Sequence, residues 1–356
     1  MPRIGIVGFA NTGKTTLFNA LTGHDAPTAQ HPFSTTSPNI GVARIADADL
    51  EEAARIERSA KLVSSTLDLI DLPAMARGGG LGSQYLGRLR EVEALAAVLR
   101  AFDDAAVPAD ESGTDPVAQA EDLILELAIA DHEVMARRGE KVSKEASADP
   151  SKRSEAAVVN RAADLLGAGT PLRSVRWDSG ELAVFRDLAP LTLRPVVWVV
   201  NVVEGHGDPS ALTDAVAAVV PEHDTVVALS APIEAEASKL EPEDREELLE
   251  GLGLGSGALS AVGQAAYRSL DLITFYTLGP KEAHAWTLRS GATAQEAAGR
   301  IHSDLERGFI RAEVAPLEEV TAAGGWDEAK RKGKVRVEGR DYPVRDRDVI
   351  VVRFSV

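Results

Sequence analysis

An α/β protein is the fold class that this sequence predicts: a doubly wound, mainly parallel sheet with an inserted helical hairpin, followed by a smaller α+β module. Three observations predict it. Arg3-Ile-Gly-Ile-Val7 is a short β-branched run that ends at Gly8 and gives way to Thr15–Leu21, where Leu17, Ala20 and Leu21 recur at helical spacing before Gly23. The run Val-Val-Trp-Val-Val at 196–200 is apolar throughout, as befits a central parallel strand covered on both faces. Strand-like and helix-like segments alternate up to residue 271, and the pattern changes from Leu272.

After the first strand and helix, Thr66–Asp71, Leu95–Phe102, Pro195–Asn201 and Thr225–Leu229 read as further buried strands. Between Asp115 and Gly167 the pattern turns helical. Leu123, Leu127, Ala130 and Val134 form one stripe, a polar stretch from Gly139 to Ser154 reads as a mobile connection, and Val158, Ala162 and Leu165 mark a second helix closing at Gly167. In the C-terminal module Ile273–Leu278 and His284–Leu288 read as a strand pair. Thr293-Ala-Gln-Glu296 is a capping box opening a helix with Ala297, Ile301 and Leu305 on one face, and Phe309–Val314 and Val349–Phe354 are strands. The expected boundaries are 1–111 with 186–271 for a discontinuous sheet domain, 112–185 for the helical insertion and 272–356 for the C-terminal module.

With 44% hydrophobic and 26% charged residues, the 356-residue chain has a globular composition, and no apolar run reaches the length of a bilayer span. The N-terminus enters a strand-like segment directly, so no signal peptide and a cytoplasmic location are expected. The absence of cysteine excludes disulfides, thiolate metal sites and thiol catalysis. A net charge of −17 disfavours nucleic-acid binding by the chain as a whole, and no DNA partner is expected. From Pro280 onward, however, 14 Lys/Arg face 13 Asp/Glu. Lys330-Arg-Lys332, Lys334 and Arg336 are therefore the candidate contact if RNA is met. The four tryptophans are scattered and read as packing, and the seven histidines show no metal-ligand spacing, with His31 the one of interest.

Chemistry concentrates in Gly8-Phe-Ala-Asn-Thr-Gly13-Lys14-Thr15, a match to G-x-x-x-x-G-K-[ST] set between strand and helix. Glycines let the backbone wrap around phosphate, and the helix N-terminus adds positive potential. Asn11, Thr12, Gly13, Lys14, Thr15 and Thr16 are the expected phosphate-binding residues, with Lys14 on the β- and γ-phosphates and the Thr15 hydroxyl on Mg²⁺. A carboxylate at the end of a neighbouring strand should hold Mg²⁺ through water. Asp71 ends Leu67-Asp-Leu-Ile-Asp71 and fits, with Asp68 as the weaker candidate. Ser34-Thr-Thr36 lies in a polar loop of the kind that closes over a γ-phosphate, and Thr35 is the expected further metal ligand.

This order of parts resembles a GTPase, in which Asn-Lys-x-Asp reads the base after a later strand. Here that position reads Asn201-Val202-Val203-Glu204. Asparagine can still address a purine, but the aspartate that accepts from guanine N1–H and its 2-amino group is gone, which favours adenine. Ser230, Ala231 and Pro232 follow the next strand, where a loop beneath the base belongs.

Together these residues resemble the YchF, or Obg-like ATPase, family across nearly the whole chain. The resemblance rests on the loop with Asn11, on His31-Pro-Phe-Ser-Thr-Thr-Ser-Pro-Asn39, on Gly80-Leu-Gly-Ser-Gln-Tyr-Leu86 and on Asn201-x-x-Glu204. Ile301–Glu313 and Glu338-Gly-Arg-Asp-Tyr342 carry it into the C-terminal module. It implies a P-loop domain, a helical insertion and a C-terminal TGS domain of β-grasp type. It also implies ATP bound in preference to GTP, ribosome association, and potassium beside the phosphates near Asn11.

The departures bear on mechanism. The family pattern Asp-x-x-Gly is Asp71-Leu-Pro-Ala74 here. Ala74 keeps the backbone N–H expected on the γ-phosphate but loses glycine's freedom, and Pro73 stiffens the approach. The following loop, Arg77-Gly-Gly-Gly80, looks shorter than the family's. Met75 stands where GTPases carry a water-orienting glutamine, and the family's histidine after Phe102 has no counterpart in Asp103–Pro108. The expectation is a slow, Mg²⁺-dependent ATPase whose nucleotide state orders the loops around Thr35 and 71–80. The alternative is an ATP-binding adaptor that no longer hydrolyses. A small-molecule kinase is the weaker third reading, since no second phosphate-acceptor site is evident.

Overall fold

The computed structural model describes residues 2–24, 26, 38–75, 78, 81–108, 113–203, 205, 207–252 and 258–355. In chain order, β1 (Arg3–Val7) leads through the glycine loop into α1 (Lys14–Thr22), followed by β2 (Asn39–Arg44), α2 (Ala48–Glu57), β3 (Leu62–Val63) and β4 (Thr66–Asp71). Next come α3 (Ser83–Leu89), β5 (Ala94–Ala101), α4 (Pro116–Ala148), α5 (Arg153–Gly167) and α6 (Ser179–Phe185). Then β6 (Val196–Val202), α7 (Ser210–Ala217), β7 (Thr225–Leu229), α8 (Ala231–Ala237), α9 (Pro242–Gly251) and α10 (Ala258–Ser269). The C-terminal part holds β8 (Leu272–Thr277), β9 (Ala283–Arg289), α11 (Ala294–Ile301), α12 (Ser303–Arg307), β10 (Phe309–Pro316), α13 (Leu317–Ala323), α14 (Trp326–Arg331), β11 (Arg336–Glu338) and β12 (Asp348–Phe354).

Two compact units result, Pro2–Val42 with Asp68–Ser269, and Ala43–Leu67 with Leu270–Val356. The first is built on a six-stranded sheet in the order β2-β4-β1-β5-β6-β7. The pairs β4–β1, β1–β5, β5–β6 and β6–β7 are all parallel, as the continuous apolar runs predict. Every residue of β6 is buried. Trp198 gives up its indole to this core and its Nε1 donates to Asp224 at 2.9 Å, a carboxylate that Arg173 also grips. The charge of Arg173 and the hydrogen bond from the indole together let a carboxylate sit in the core.

The helical insertion differs from its sequence reading. The stretch from Gly139 onward is not a mobile connection: α4 runs unbroken for 33 residues to Ala148, and only a 3₁₀ turn at Pro150–Lys152 separates it from α5. Two causes explain the difference. The Lys, Glu and Ser residues of this stretch tolerate a helix whose outer face is solvated. Gly139 does not stop the helix but lets α5 approach, because a Cβ there would lie 2.4 Å from Asn160 Oδ1. Beneath the pair, Ala128 and Met135 of α4 pack with Val158, Val159, Ala162 and Leu166 of α5. Asp131 of α4 accepts from the N–H groups of Leu191 and Thr192 and from the Thr192 hydroxyl, which fixes the helix to the chain entering β6.

The second unit is a six-stranded mixed sheet, β11-β10-β12-β8-β9-β3. One face packs on α2, α13 and α14 through Leu50, Ala53, Leu317, Val320 and Trp326, and the other on α11 through Ala294, Ala297 and Ala298. Residues 43–67, which the sequence reading leaves in the first part, belong to this unit through β3 and α2. The capping box of Thr293 and Glu296 is present. The helix it opens is shorter than its stripe suggests. His302 is extended and its Nδ1 accepts from Asp304 N–H, so Leu305 lies on a separate turn, α12. A mainly parallel sheet with a helical pair, plus a mixed sheet closed on helices, is the fold class that the sequence predicts.

Candidate functional site

The loop from Gly8 to Gly13 takes its shape from positions where a side chain would collide. A Cβ on Gly8 would lie 2.5 Å from the carbonyl oxygen of Val98 on β5. A Cβ on Gly13 would lie 2.3 Å from Nδ2 of Asn201, and Gly13 has φ +95°. Asn11 is also left-handed at φ 58°, and its Nδ2 donates to Pro108 O at 3.0 Å. Arg100, a charged residue inside an otherwise apolar strand, is fully buried. Its guanidinium donates to Val107 O, Phe102 O and Asn11 O at 2.7, 3.1 and 3.3 Å. The glycine loop and the 102–108 loop are thus clamped to one cation. The bond to Pro108 uses only the amide nitrogen of Asn11, and nothing in this geometry supports the potassium expectation.

Lys14 opens α1 with its side chain folded back over the loop, its ammonium donating to Phe9 O at 2.6 Å. Thr12 is buried, with its hydroxyl on Phe9 O at 3.3 Å, and Thr16 is half-buried on α1. Thr15 donates from Oγ1 to Oδ2 of Asp71 at 2.8 Å, and Asn39 Nδ2 donates to the same oxygen at 3.0 Å. Asp71 is only 2% exposed, and its other oxygen, Oδ1, has no hydrogen-bond partner among the described residues. Burial pushes the Asp71 carboxyl up from its ordinary value, opposed by the Thr15 and Asn39 hydrogen bonds and by the charge of Lys14.

These residues fit Mg²⁺. A hard cation of this kind takes one or two carboxylates, a hydroxyl, water and phosphate oxygens rather than an all-protein cage. Thr15 and the orphaned Oδ1 of Asp71 supply that donor set, and among the described residues no group of three or more His, Asp or Glu is arranged to hold a metal alone. Thr35 lies outside the described residues, as do His31, Ser34, Thr36, Arg77 and Gly80.

After Asp71 the chain is pinned against the glycine loop: Leu72 N–H donates to Ile6 O and Met75 N–H to Gly8 O, each at 3.1 Å. Ala74 between them is half-buried and outside the left-handed region, so alanine fits this backbone without strain. The Met75 side chain is buried in the core cluster with Phe9 and Leu72 and has no polar group to offer water.

Asn201, expected to read the base, also ties the site together. Its Nδ2 donates to Thr12 O at 3.0 Å and its Oδ1 accepts from Ala231 N–H at 2.9 Å, joining the glycine loop to the turn after β7. One N–H and one lone pair of the amide stay available to a purine. Val202 is buried and Pro232 exposed. Ser230 heads α8 without capping it, and its Oγ is buried with no partner among the described residues. Glu204 lies outside the described residues.

Three residues of this constellation are not singled out by the sequence. Asn39 ends a polar loop with nothing in its local pattern to single it out. Arg100 had a signal, a cation in a run of apolar strand residues. Glu126 had one too, an acid beside the buried stripe of α4; it is buried and accepts from the N–H of Gly78 at 2.6 Å.

In the C-terminal unit, four members of the basic cluster face carboxylates: Lys330 with Glu313, Arg331 with Glu328, Lys334 with Glu319 and Arg336 with Glu338. Lys332 donates to Ala323 O. The cluster is therefore less positive than its sequence suggests.

Comparison with known proteins agrees with this architecture. Residues 3–133 match a family model described as a 50S ribosome-binding GTPase, and residues 272–355 match YchF-GTPase_C, described as a protein of unknown function. The Ribosome-binding ATPase YchF of Bacillus subtilis is 37% identical over 362 residues, with 99% of each chain covered. The protein of the same name from Escherichia coli O157:H7 is 37% identical over 360 residues, again with 99% of each chain covered. The solved structure of the Schizosaccharomyces pombe YchF GTPase superposes with a TM-score of 0.86 at 26% identity, covering 99% of this chain and 97% of that one.

Proposed function

The chain belongs to the YchF family, and from that premise we propose that it is a Mg²⁺-dependent P-loop nucleotide hydrolase that prefers ATP to GTP and turns over slowly. The observation that carries the proposal is the junction of Thr15 and Asp71, in which Oδ1 of Asp71 has no hydrogen-bond partner among the described residues. In this reading the loop N–H groups and Lys14 bind the β- and γ-phosphates, with Thr12, Gly13 and Thr16 around them. Bound Mg²⁺ would neutralise charge on the phosphate oxygens, held by Thr15 and Thr35 and, through water, by Asp71. The backbone N–H of Ala74 contributes a donor to the γ-phosphate. Asn201, Val202, Glu204, Ser230, Ala231 and Pro232 surround the base, and loss of the guanine-reading aspartate supports adenine. Potassium is not part of the proposal.

Release of inorganic phosphate from ATP by the wild-type protein, against a Lys14→Ala control, tests the enzymatic half. Turnover above that control supports it, and equal rates contradict it.

The B. subtilis and E. coli relatives are named for ribosome binding, which supports a ribosomal partner for this chain, its affinity set by nucleotide state through the loops around Thr35 and 71–80. No helix among the described residues is long and apolar enough to cross a membrane. A second reading, an ATP-gated adaptor without turnover, is favoured by Met75, which stands where GTPases carry a water-orienting glutamine and whose apolar side chain is buried in the core cluster. Tight ATP binding with no phosphate release, and turnover appearing in Ala74→Gly, would select it.

A further inference from the structure

In the parallel pairing of β5 with β6, Arg100 stands opposite Asn201, and the two side chains reach consecutive carbonyls of the glycine loop. The Arg100 guanidinium donates to Asn11 O at 3.3 Å, and Asn201 Nδ2 donates to Thr12 O at 3.0 Å. Both peptides are trans, so each C=O and the N–H that follows it point in opposite directions. Holding Asn11 O therefore aims the N–H of Thr12 away from Arg100, and holding Thr12 O aims the N–H of Gly13 away from Asn201. Asn11 and Gly13 are both left-handed, a backbone alternation that gathers successive N–H groups into an anion-binding concavity. Arg100 is fixed in turn. Its backbone N–H donates to Gln119 Oε1 at 2.8 Å and its carbonyl accepts from Gln119 Nε2 at 2.9 Å, which ties the strand end to α4. The guanidinium also donates to Phe102 O and Val107 O and lies 4.3 Å over the Phe102 ring.

We propose that Arg100 is a positioning residue for the nucleotide's phosphates: by holding the Asn11 carbonyl it turns the N–H of Thr12 toward the phosphate, as Asn201 does for the N–H of Gly13. The inference rests on reading the loop as a nucleotide site. A donor that is set before the ligand arrives costs no reorganisation on binding, and a buried side chain held at its backbone and at its tip meets that condition. The planar fork of arginine serves this role because it reaches several carbonyls at once, which a single ammonium does not.

The test is Arg100→Lys, which keeps the positive charge and removes the fork, so that attraction of the phosphates by charge alone is preserved. Calorimetric titration with ADP should show binding weakened about tenfold, as for a lost hydrogen bond from a charged group. In ¹⁵N–¹H spectra the ADP-induced shift of the Thr12 amide should fall to about half or less, since a misaligned bond weakens steeply. The shifts of Thr15 and Thr16 on α1 and the thermal midpoint should stay near wild type. ADP affinity within about twofold of wild type would overturn the inference. So would a loss of affinity that comes with an equal fall in the Thr15 and Thr16 shifts or in thermal stability, which would mark a packing role. Should Arg100→Lys fail to fold, the wild-type protein decides: the Thr12 and Gly13 amides should both move downfield on addition of ADP, and a stationary Thr12 would overturn the inference. Failure of the wild-type protein to bind ADP would instead overturn the underlying reading of the site.

Discussion

The hydroxyl of Thr15 donates to Oδ2 of Asp71 at 2.8 Å, joining residues 56 positions apart in the sequence. The bond links the first turn of α1 to the last residue of β4, and the parallel pairing of β1 with β4 makes it possible by setting Ile6 opposite Asp71. The hydroxyl and the carboxylate that we propose as partners of one metal ion are thus brought side by side by the sheet register. Asn39 shares the same oxygen, and Oδ1 is left buried without a hydrogen-bond partner among the described residues.

Asp71 trades stability for this arrangement. Burial raises its pKa, so the native protein holds the proton more tightly than the unfolded chain does. The ionised carboxylate therefore costs stability; the cost is absent below the unfolded pKa and grows as pH rises through the native value. Asp71→Asn keeps an oxygen for Thr15 and Asn39 and removes the charge. It should raise the thermal midpoint of the nucleotide-free protein at pH 7 by about 2–4 °C. It should also weaken Mg²⁺-dependent nucleotide binding by about ten- to a hundredfold. Melting curves with and without Mg²⁺–ADP read both effects, and a lower midpoint with intact metal dependence would contradict them.

Gly13 and Gly23 separate a contact from a backbone effect. Both have positive φ, but a Cβ at Gly13 meets Asn201 at 2.3 Å, whereas at Gly23 it meets nothing within 4 Å. Gly23→Ala should cost only backbone strain, about 1–2 kcal/mol. Gly13→Ala should add the hydrogen bonds of Asn201 to that loss, about 2–4 kcal/mol in all, and abolish nucleotide binding. Urea unfolding of the two variants gives the comparison. Equal costs would show that Asn201 does not bear on the loop.

Glu126 gives the segment after Asp71 a tether to α4, since the Gly78 N–H has this buried carboxylate as its acceptor. Glu126→Ala should speed hydrogen exchange at the Gly78 amide by about tenfold or more, as expected for loss of a bond to a charged group. An unchanged exchange rate would mean the tether is not made in solution.

Glu313 sets an acid limb for the C-terminal unit. Hydrogen bonds from Lys330, then Arg353, hold its carboxyl below the usual range. The resulting stability is complete above the unfolded pKa, about 4.3, and is lost as pH falls through the lower native value. Glu313→Gln should make the loss of stability below about pH 5 shallower. An acid-unfolding profile parallel to wild type would contradict this.

What the sequence revealed follows from how local each constraint is. Gly8, Gly13 and Lys14 were legible because a phosphate-wrapping loop demands those residue types at that spacing, and β6 because a strand buried on both faces must be apolar throughout. Asp71 was legible from its place at a strand end. Asn39 was not, because its importance comes from a partner, Asp71, that lies far along the chain. The length of α4 was misread because Gly139 resembles a stop, whereas its reason is the approach of Asn160. The placement of 43–67 beside the C-terminal strands rests on β3–β9 pairing across more than two hundred residues, which no local pattern encodes. The ion pairs of Lys330 with Glu313 and of Lys334 with Glu319 were hidden because each joins residues on different elements that only the fold brings together.

Lys14, Thr15 and Asp71 are proposed to build an adenine-selective Mg²⁺–nucleotide site. Direct competition between ATP and GTP for the wild-type protein in the presence of Mg²⁺, repeated after chelation of the metal, tests it most directly. Tighter binding of ATP that weakens when the metal is removed is the predicted result. Preference for GTP, or ATP binding indifferent to the metal, would contradict the account.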